Sequence, residues 1–465
     1  MRKVELADVK LPPFTLPKSE PSLSREEYQG RIRRAQELLR KRGLDALVVY
    51  GDREHSANME FLSGYDPRFE EALLIIKQEG KPVLMVGNEG WGYSEYATKI
   101  EADRVLVQCF SLMGQPRNQM TELKDSLEGA GLRRGMRVGT CGWKYFTELD
   151  FKNSERALEI PEYIARTIRE IVGDSNPVVN SGDFLMHPEH GMRAVNSVDQ
   201  IAVFEFAATI CSQHIHSMIT SLRPGMTEYE AAQSMRLNGM PLSCHLMLSS
   251  GDRAWYGMCS PSMKTIRYGD PLMAAVGLRG ALTVREGYVV EDERGLKGIQ
   301  RDYVEEICKP YFSAIVDWYE TVKIGVTGGE VEKRVSESLR DASFKLALNP
   351  GHLIHLDEWL NSPFTPSSKH KLRSGMMIQV DLITSVPKGK FGTNLEDGIA
   401  LADEDLRSRL EEKYPETYQR IEERRRFMSD VLGIRLHDDV LPLSNYPAVL
   451  RPFLLSDQKI LVAES

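Results

Sequence analysis

Near the C-terminal end the chain reads "NPGHLIHLDEW", residues 349–359. His352 follows a glycine in a short apolar run, with acids close behind. An imidazole on a strand is a common ligand for a divalent ion, and hard ions also ask for carboxylates. Two carboxylates follow in suitable settings: Asp381 inside the apolar run "MMIQVDLI", and Glu396 in "GTNLEDGIAL". A carboxylate buried without a partner is costly, so both read as site acids in preference to structural hydrogen-bonding groups. Glu286, in "LTVREGYVV", by itself reads as an ordinary hairpin acid. His355 either lines the same pocket or packs against it. Cys244 and His245 are adjacent, so on a strand they face opposite sides and do not make a Cys–His catalytic pair. His214 and His216, in "HIHSM", read as surface or domain-contact residues.

These residues need a scaffold, and the chain shows one. "RPGMTEYE" at 223–230 and "KIGVTGGE" at 323–330 share a pattern of basic, Gly, Met or Val, Thr and Glu. Each places a threonine cap and its glutamate partner at the start of a helix. "YGDPLMAAVG" from Tyr268 and "SGMMIQVDLI" from Ser374 repeat a glycine followed by an apolar strand at a nearly equal offset. Two similar halves imply a pseudo-twofold domain with its site where the halves meet. Upstream, strands such as "LDALVVYG" and the hairpin "EALLIIKQEGKPVLMVG" alternate with helices, which reads as a compact α/β domain. The expected layout is an extended surface arm at 1–22, a small α/β domain at 23–190 and the pseudo-twofold domain at 191–465, an α/β (α+β) architecture overall. The charged run "RLEEKYPETYQRIEERRR" reads as a solvated helix face, and the Pro-punctuated tail after it as surface packing.

Composition narrows the function classes. Of 465 residues, 42% are hydrophobic and 27% charged, ordinary for a globular protein with a real core. The formal charge of −8 disfavours a general nucleic-acid binder. No stretch has the length and apolarity of a membrane span, and the N-terminus has no signal-peptide core. The six scattered cysteines fit free thiols in a reducing cytoplasm.

Four of these stretches, "RPGMTEYE", "NPGHLIHLDEW", "LRSGMMIQVDLI" and "GTNLEDGIAL", occur in the order found in the creatinase, prolidase and Xaa-Pro aminopeptidase family. The resemblance runs from about residue 24 to about residue 403. It implies a creatinase-like N-terminal domain followed by a catalytic domain of the pita-bread fold. Metal-dependent members hold two divalent ions on two Asp, one His and two Glu, and use them to make hydroxide and polarise a carbonyl. By the resemblance, His352 falls on the histidine ligand, Asp381 on the first glutamate and Glu396 on the second. That makes these three, with Glu286 as a fourth candidate, the implied metal ligands, and His352 and Glu396 the implied catalytic residues. The first aspartate position is Ala275, and the second is Glu286 or Val284, depending on a two-residue gap. The substrate-contacting histidine, which in metal-free creatinase is catalytic, is Met258 in "GMCSPS". These departures point to a family member with a degraded dinuclear site, a pseudoenzyme or small-ligand binder that takes at most one divalent ion (Mn, Zn or Co). The alternative is a divergent hydrolase of a C–N bond in a small peptide or amide. The resemblance also implies a homodimer, with Arg68 or Phe69 of the loop "NMEFLSGYDPRFEEA" approaching the partner's cleft near Asp381 and Arg68 contacting ligand.

Overall fold

The computed structural model describes residues 2–173 and 175–464. The chain divides into two compact units, one formed by Leu23–Ala194 and the other by Val195–Ser465 with the residues before Leu23.

The unit Leu23–Ala194 opens on the helix Arg25–Arg42. Ser24 accepts the Glu27 backbone N–H at 3.2 Å, and Gly43 ends the helix at φ 63°, a conformation glycine adopts freely. Ile32, Ala35 and Leu39 form its buried stripe. A six-stranded sheet follows, in the order Asp103–Leu106, Val83–Val86, Ala72–Lys77, Ala46–Gly51, Val138–Cys141, Val178–Asn180. The central pairings are antiparallel and the outer ones parallel. The expected hairpin is the pair Ala72–Lys77 and Val83–Val86, with Gly80 at φ 82° in its turn. In the loop considered for a partner contact, Phe61 and Tyr65 are buried in their own unit, and Phe69 is 51% exposed.

The other unit carries the repeat. Its first half has a long helix, Val198–Ser221, a short capped helix, Glu228–Ser234, and the strands Met247–Ser250, Pro271–Leu278 and Ala281–Tyr288. Its second half has Lys309–Thr321, Gly328–Ser338, and the strands His352–Leu353, Met377–Asp381 and Leu395–Leu401. Thr227 and Thr327 each complete a reciprocal capping box with the glutamate three residues on. All six strands join one antiparallel sheet in the order 352, 377, 395, 281, 271, 247 by first residue. The halves therefore meet at the pair Leu395–Leu401 and Ala281–Tyr288, with each half's strands running outward from that seam.

Four expectations about exposure change. The tail is largely buried, because Val440–Pro442 extends the sheet by pairing with Ile399–Leu401. The N-terminal arm contributes the strand Val4–Asp8, paired with Lys459–Ala463. The charged run is not only a solvated face: Arg420 and Arg424 are buried and both pair with Glu205 of the long helix, Arg424 at 2.7 Å. His214 is buried too, its Nδ1 donating to the Met235 carbonyl at 2.8 Å.

Candidate metal centre

Across the seam the strand register aligns one row of side chains. Asp381 sits opposite Glu396, Glu396 opposite Val284, Val284 opposite Ala275, and Ala275 opposite Met247. Residues directly opposite in an antiparallel sheet share a face. The row is therefore acidic in the second half and apolar in the first. The pseudo-twofold exchanges Asp381 with Ala275 and Glu396 with Val284. Val284, not Glu286, stands in the row; Glu286 lies opposite Met273, two residues along.

His352 joins the acids from the edge strand, where it pairs with Gln379. Gly351 before it holds φ 118°, and a Cβ there would lie 2.7 Å from the Gln379 carbonyl oxygen, so only glycine lets the strand begin here. The His352 ring is fully buried and stacked on Trp359, 4.2 Å between centroids. Its Nδ1 lies 3.2 Å from the Leu353 carbonyl oxygen. A carbonyl can only accept, so Nδ1 carries the proton and the neutral ring presents the lone pair of Nε2. Nε2 has no hydrogen-bond partner; it lies 4.0 Å from Asp381 Oδ2 and 3.3 Å from Glu358 Oε1. His352, Asp381 and Glu396 each offer a ligand atom, all within 4.8 Å of one another.

Burial dominates the electrostatics. It pushes the Asp381 carboxyl up to about 7, partly offset by a hydrogen bond from Glu396. It raises Glu396 well above the usual carboxylate range, and the charges of Asp381 and Glu358 raise it further. Both carboxyls of the pair are thus harder to ionise than an exposed acid. Glu396 is also oriented: Asn394 Nδ2 donates to its Oε1 at 2.8 Å, and the Tyr311 hydroxyl donates to Asn394 Oδ1 at 3.2 Å. Burial holds His352 neutral, with its pKa lowered to about 4.

Glu358 is the acid that the sequence reading passed over. Burial, then the charges of Asp381 and Asp357, push it up to about 7. Its signal was the "LDEW" that follows the histidine strand, but a loop has no period to say which acid turns inward. Glu286 is half-buried, and burial followed by the Asp381 charge raises it to about 8. Cys244 lies close enough to feel Glu358 and Glu396, and burial first, then those charges, raise its thiol to about 12. His355 is wholly buried and edge-on to Phe204 at 5.0 Å, a core setting. Met258 is 68% exposed. Arg68 belongs to the other unit, where its Nη1 lies 3.3 Å from Asp66.

A dinuclear ion pair needs carboxylates on both sides of the row, and Ala275 and Val284 supply no donor atom. One divalent ion fits better. The Nε2 of His352 and Oδ1 of Asp381 are both buried without a hydrogen-bond partner, and a cation there would neutralise acids that have no Lys or Arg partner among the described residues.

Comparison with known proteins places the fold. Residues 203–403 match the metallopeptidase family M24, and residues 31–160 match the creatinase/prolidase N-terminal domain. The uncharacterized peptidase YqhT of Bacillus subtilis (strain 168) is 23% identical over 220 residues, 46% of this chain and 61% of that protein. This chain therefore spans under two thirds of that curated relative. Among solved structures, a recombinant prolidase from Thermococcus sibiricus aligns with TM-score 0.64 at 16% identity, covering 91% of this chain and 98% of that one. The dipeptidase PepE from Mycobacterium ulcerans gives 0.62 at 14%, covering 92% and 98%. The X-Pro aminopeptidase from Thermotoga maritima MSB8 gives 0.61 at 18%, covering 80% and 95%. At these identities the structures establish the fold: a creatinase-like N-terminal domain and a pita-bread C-terminal domain. With both domain types in the expected order, the chain belongs to the creatinase/prolidase group of metallopeptidase family M24.

Proposed function

We propose that this chain is a ligand-binding descendant of the Xaa-Pro peptidases, with a half-site that takes at most one divalent ion. The observation that carries this reading is the row Asp381–Glu396–Val284–Ala275, in which the symmetry mates of both acids are apolar. Paired-ion hydrolysis depends on carboxylates bridging two cations held close together. Here one side of that arrangement has no donor. His352, Asp381 and Glu396 would hold the single ion, which supplies Lewis acidity when bound. Asn394 and Tyr311 would fix the orientation of the Glu396 carboxylate toward it. A small peptide or amide is the ligand class in keeping with the family.

The second reading is a hydrolase of a C–N bond in a small peptide or amide, working with one ion or none. The buried, unpartnered Nε2 of His352 and Oδ1 of Asp381 favour it, because an idle remnant gains nothing by keeping them. One experiment separates the readings. Chelator-stripped protein is titrated with manganese, cobalt and zinc, bound metal is counted, and Xaa-Pro dipeptide hydrolysis is followed in parallel. At most one ion per chain with no hydrolysis supports the first reading. Hydrolysis that disappears in Asp381→Asn supports the second. Two tightly held ions per chain overturn both.

A further inference from the structure

On the face of the sheet turned away from the acid row, Thr283 and Arg285 alternate with Val284. A cavity of about 30 Å³ lies there, walled in part by Ser212, His216, Arg285, Asn445, Tyr446 and Arg451. A water needs on the order of 10–15 Å³, so the space suits a ligand of only a few atoms.

Its polar lining is rich in donors without acceptors. Arg285 is fully engaged: it donates to Asp397 at 2.8 Å and to the carbonyls of Val284, Glu396, Tyr446 and Val449. Arg451 is different. It is 6% exposed, its Nη1 is buried with no hydrogen-bond partner, and no carboxylate pairs with it among the described residues. The charge of Asp457 acts on it without a direct ion pair among the described residues. Asn445 is wholly buried. Its Oδ1 accepts from Arg424 at 2.9 Å, while its Nδ2 has no acceptor. His216 stacks on Tyr446, 4.0 Å between centroids, and stays neutral: burial first, then the Arg451 charge, lower its pKa to about 4. Glu286 also borders the cavity but makes no ion pair with Arg451 among the described residues. A guanidinium is charged at any physiological pH, and a buried charge without a counter-ion is strongly disfavoured. Water would satisfy the N–H groups but leave the charge uncompensated.

We infer that this cavity binds a small monovalent anion, of halide or formate size, held by Arg451 and Asn445. The site is separate from the metal centre and does not depend on the function assigned to it. Leu11 of the N-terminal arm forms part of the wall, so the first residues of the chain help to close the site.

Crystals of the full chain soaked in sodium bromide, measured at the bromine absorption edge, test this directly. The expected result is an anomalous peak within hydrogen-bond reach of Arg451 Nη1 and Asn445 Nδ2. Only ordered water at that position overturns the inference. In solution, chloride or formate, compared with gluconate at equal ionic strength, should raise the melting temperature by about 2–4 °C. Whichever of the two anions raises it more identifies the preferred ligand. The rise should vanish in Arg451→Met, which removes the charge and keeps the bulk. An equal rise in that variant overturns the inference. If Arg451→Met does not fold, Asn445→Leu and the bromide peak in the wild type decide.

Discussion

The side chain that decides most at the candidate centre is Asp381, and its titration has a definite sign. Its carboxyl moves from 3.8 to about 7 on folding, chiefly through burial. A raised acid binds its proton more tightly in the native state. Its favourable contribution is complete below about 4 and is lost as pH rises through about 7. His352 works the other way: lowered from 6.5 to about 4, it loses its contribution as pH falls through that range. The two effects therefore have opposite slopes between pH 4 and 6.5, and a single-site variant is needed to isolate the acid. Asp381→Asn mimics the protonated carboxyl and does not titrate. In chelator, its stability relative to wild type should improve between pH 5 and pH 8 by on the order of 1–4 kcal/mol. Thermal melts showing a pH-independent difference would sink this account. Added manganese or zinc should reverse the order at pH 8, because a cation bound only to the native wild type stabilises it by mass action.

At the scale of elements, what could be read from the residues was what is local. Both threonine caps were legible because a capping box is complete within four residues. Thr327→Ala should cost roughly 1 kcal/mol, read as a shift in denaturant midpoint at unchanged slope. A loss near zero would show that the repeat's helix starts are held by packing and not by the cap. The glycine before His352 was legible as a motif, and the structure supplies its reason in the left-handed φ and the approach to the Gln379 carbonyl. Gly351→Ala should therefore destabilise by about 1–3 kcal/mol and weaken any metal binding with it. Intact binding in that variant would mean His352 is placed by Trp359 stacking alone. The register across the seam was not legible. Whether Val284 or Glu286 enters the row depends on the length of the hairpin at Gly280 and on pairing with a strand more than a hundred residues later, which leaves no local mark. The tail was misjudged for the same reason: its prolines looked like surface punctuation, while its strand pairs with Ile399–Leu401 of an interior strand of the sheet.

For the molecule as a whole, the remaining question is whether a second copy belongs to the functional form. Family resemblance raises the expectation of a homodimer, and the surface of the unit Leu23–Ala194 bears on it. Phe69, Tyr96, Met113 and Leu149 are all more than half exposed and large, and aromatic side chains and Met are types enriched at interface cores. Phe61 and Tyr65 are committed to their own core and are not available to a partner. Within that loop, Phe69 and its neighbour Arg68 are the side chains left for the proposed contact. Arg68 holds φ 64°, unusual for a residue with a side chain, with its guanidinium 3.3 Å from Asp66 and over half exposed. A strained, exposed arginine beside an exposed phenylalanine suits a hot spot, where Arg and aromatic residues dominate binding energy. The expected outcome is a dimer in sedimentation at micromolar concentration, with Phe69→Asp weakening association at least tenfold and leaving the melting of each unit unchanged. A monomer at that concentration rejects the dimer. A dimer indifferent to Phe69→Asp and Arg68→Ala keeps the assembly but moves its interface elsewhere, and with it any role for Arg68 near Asp381.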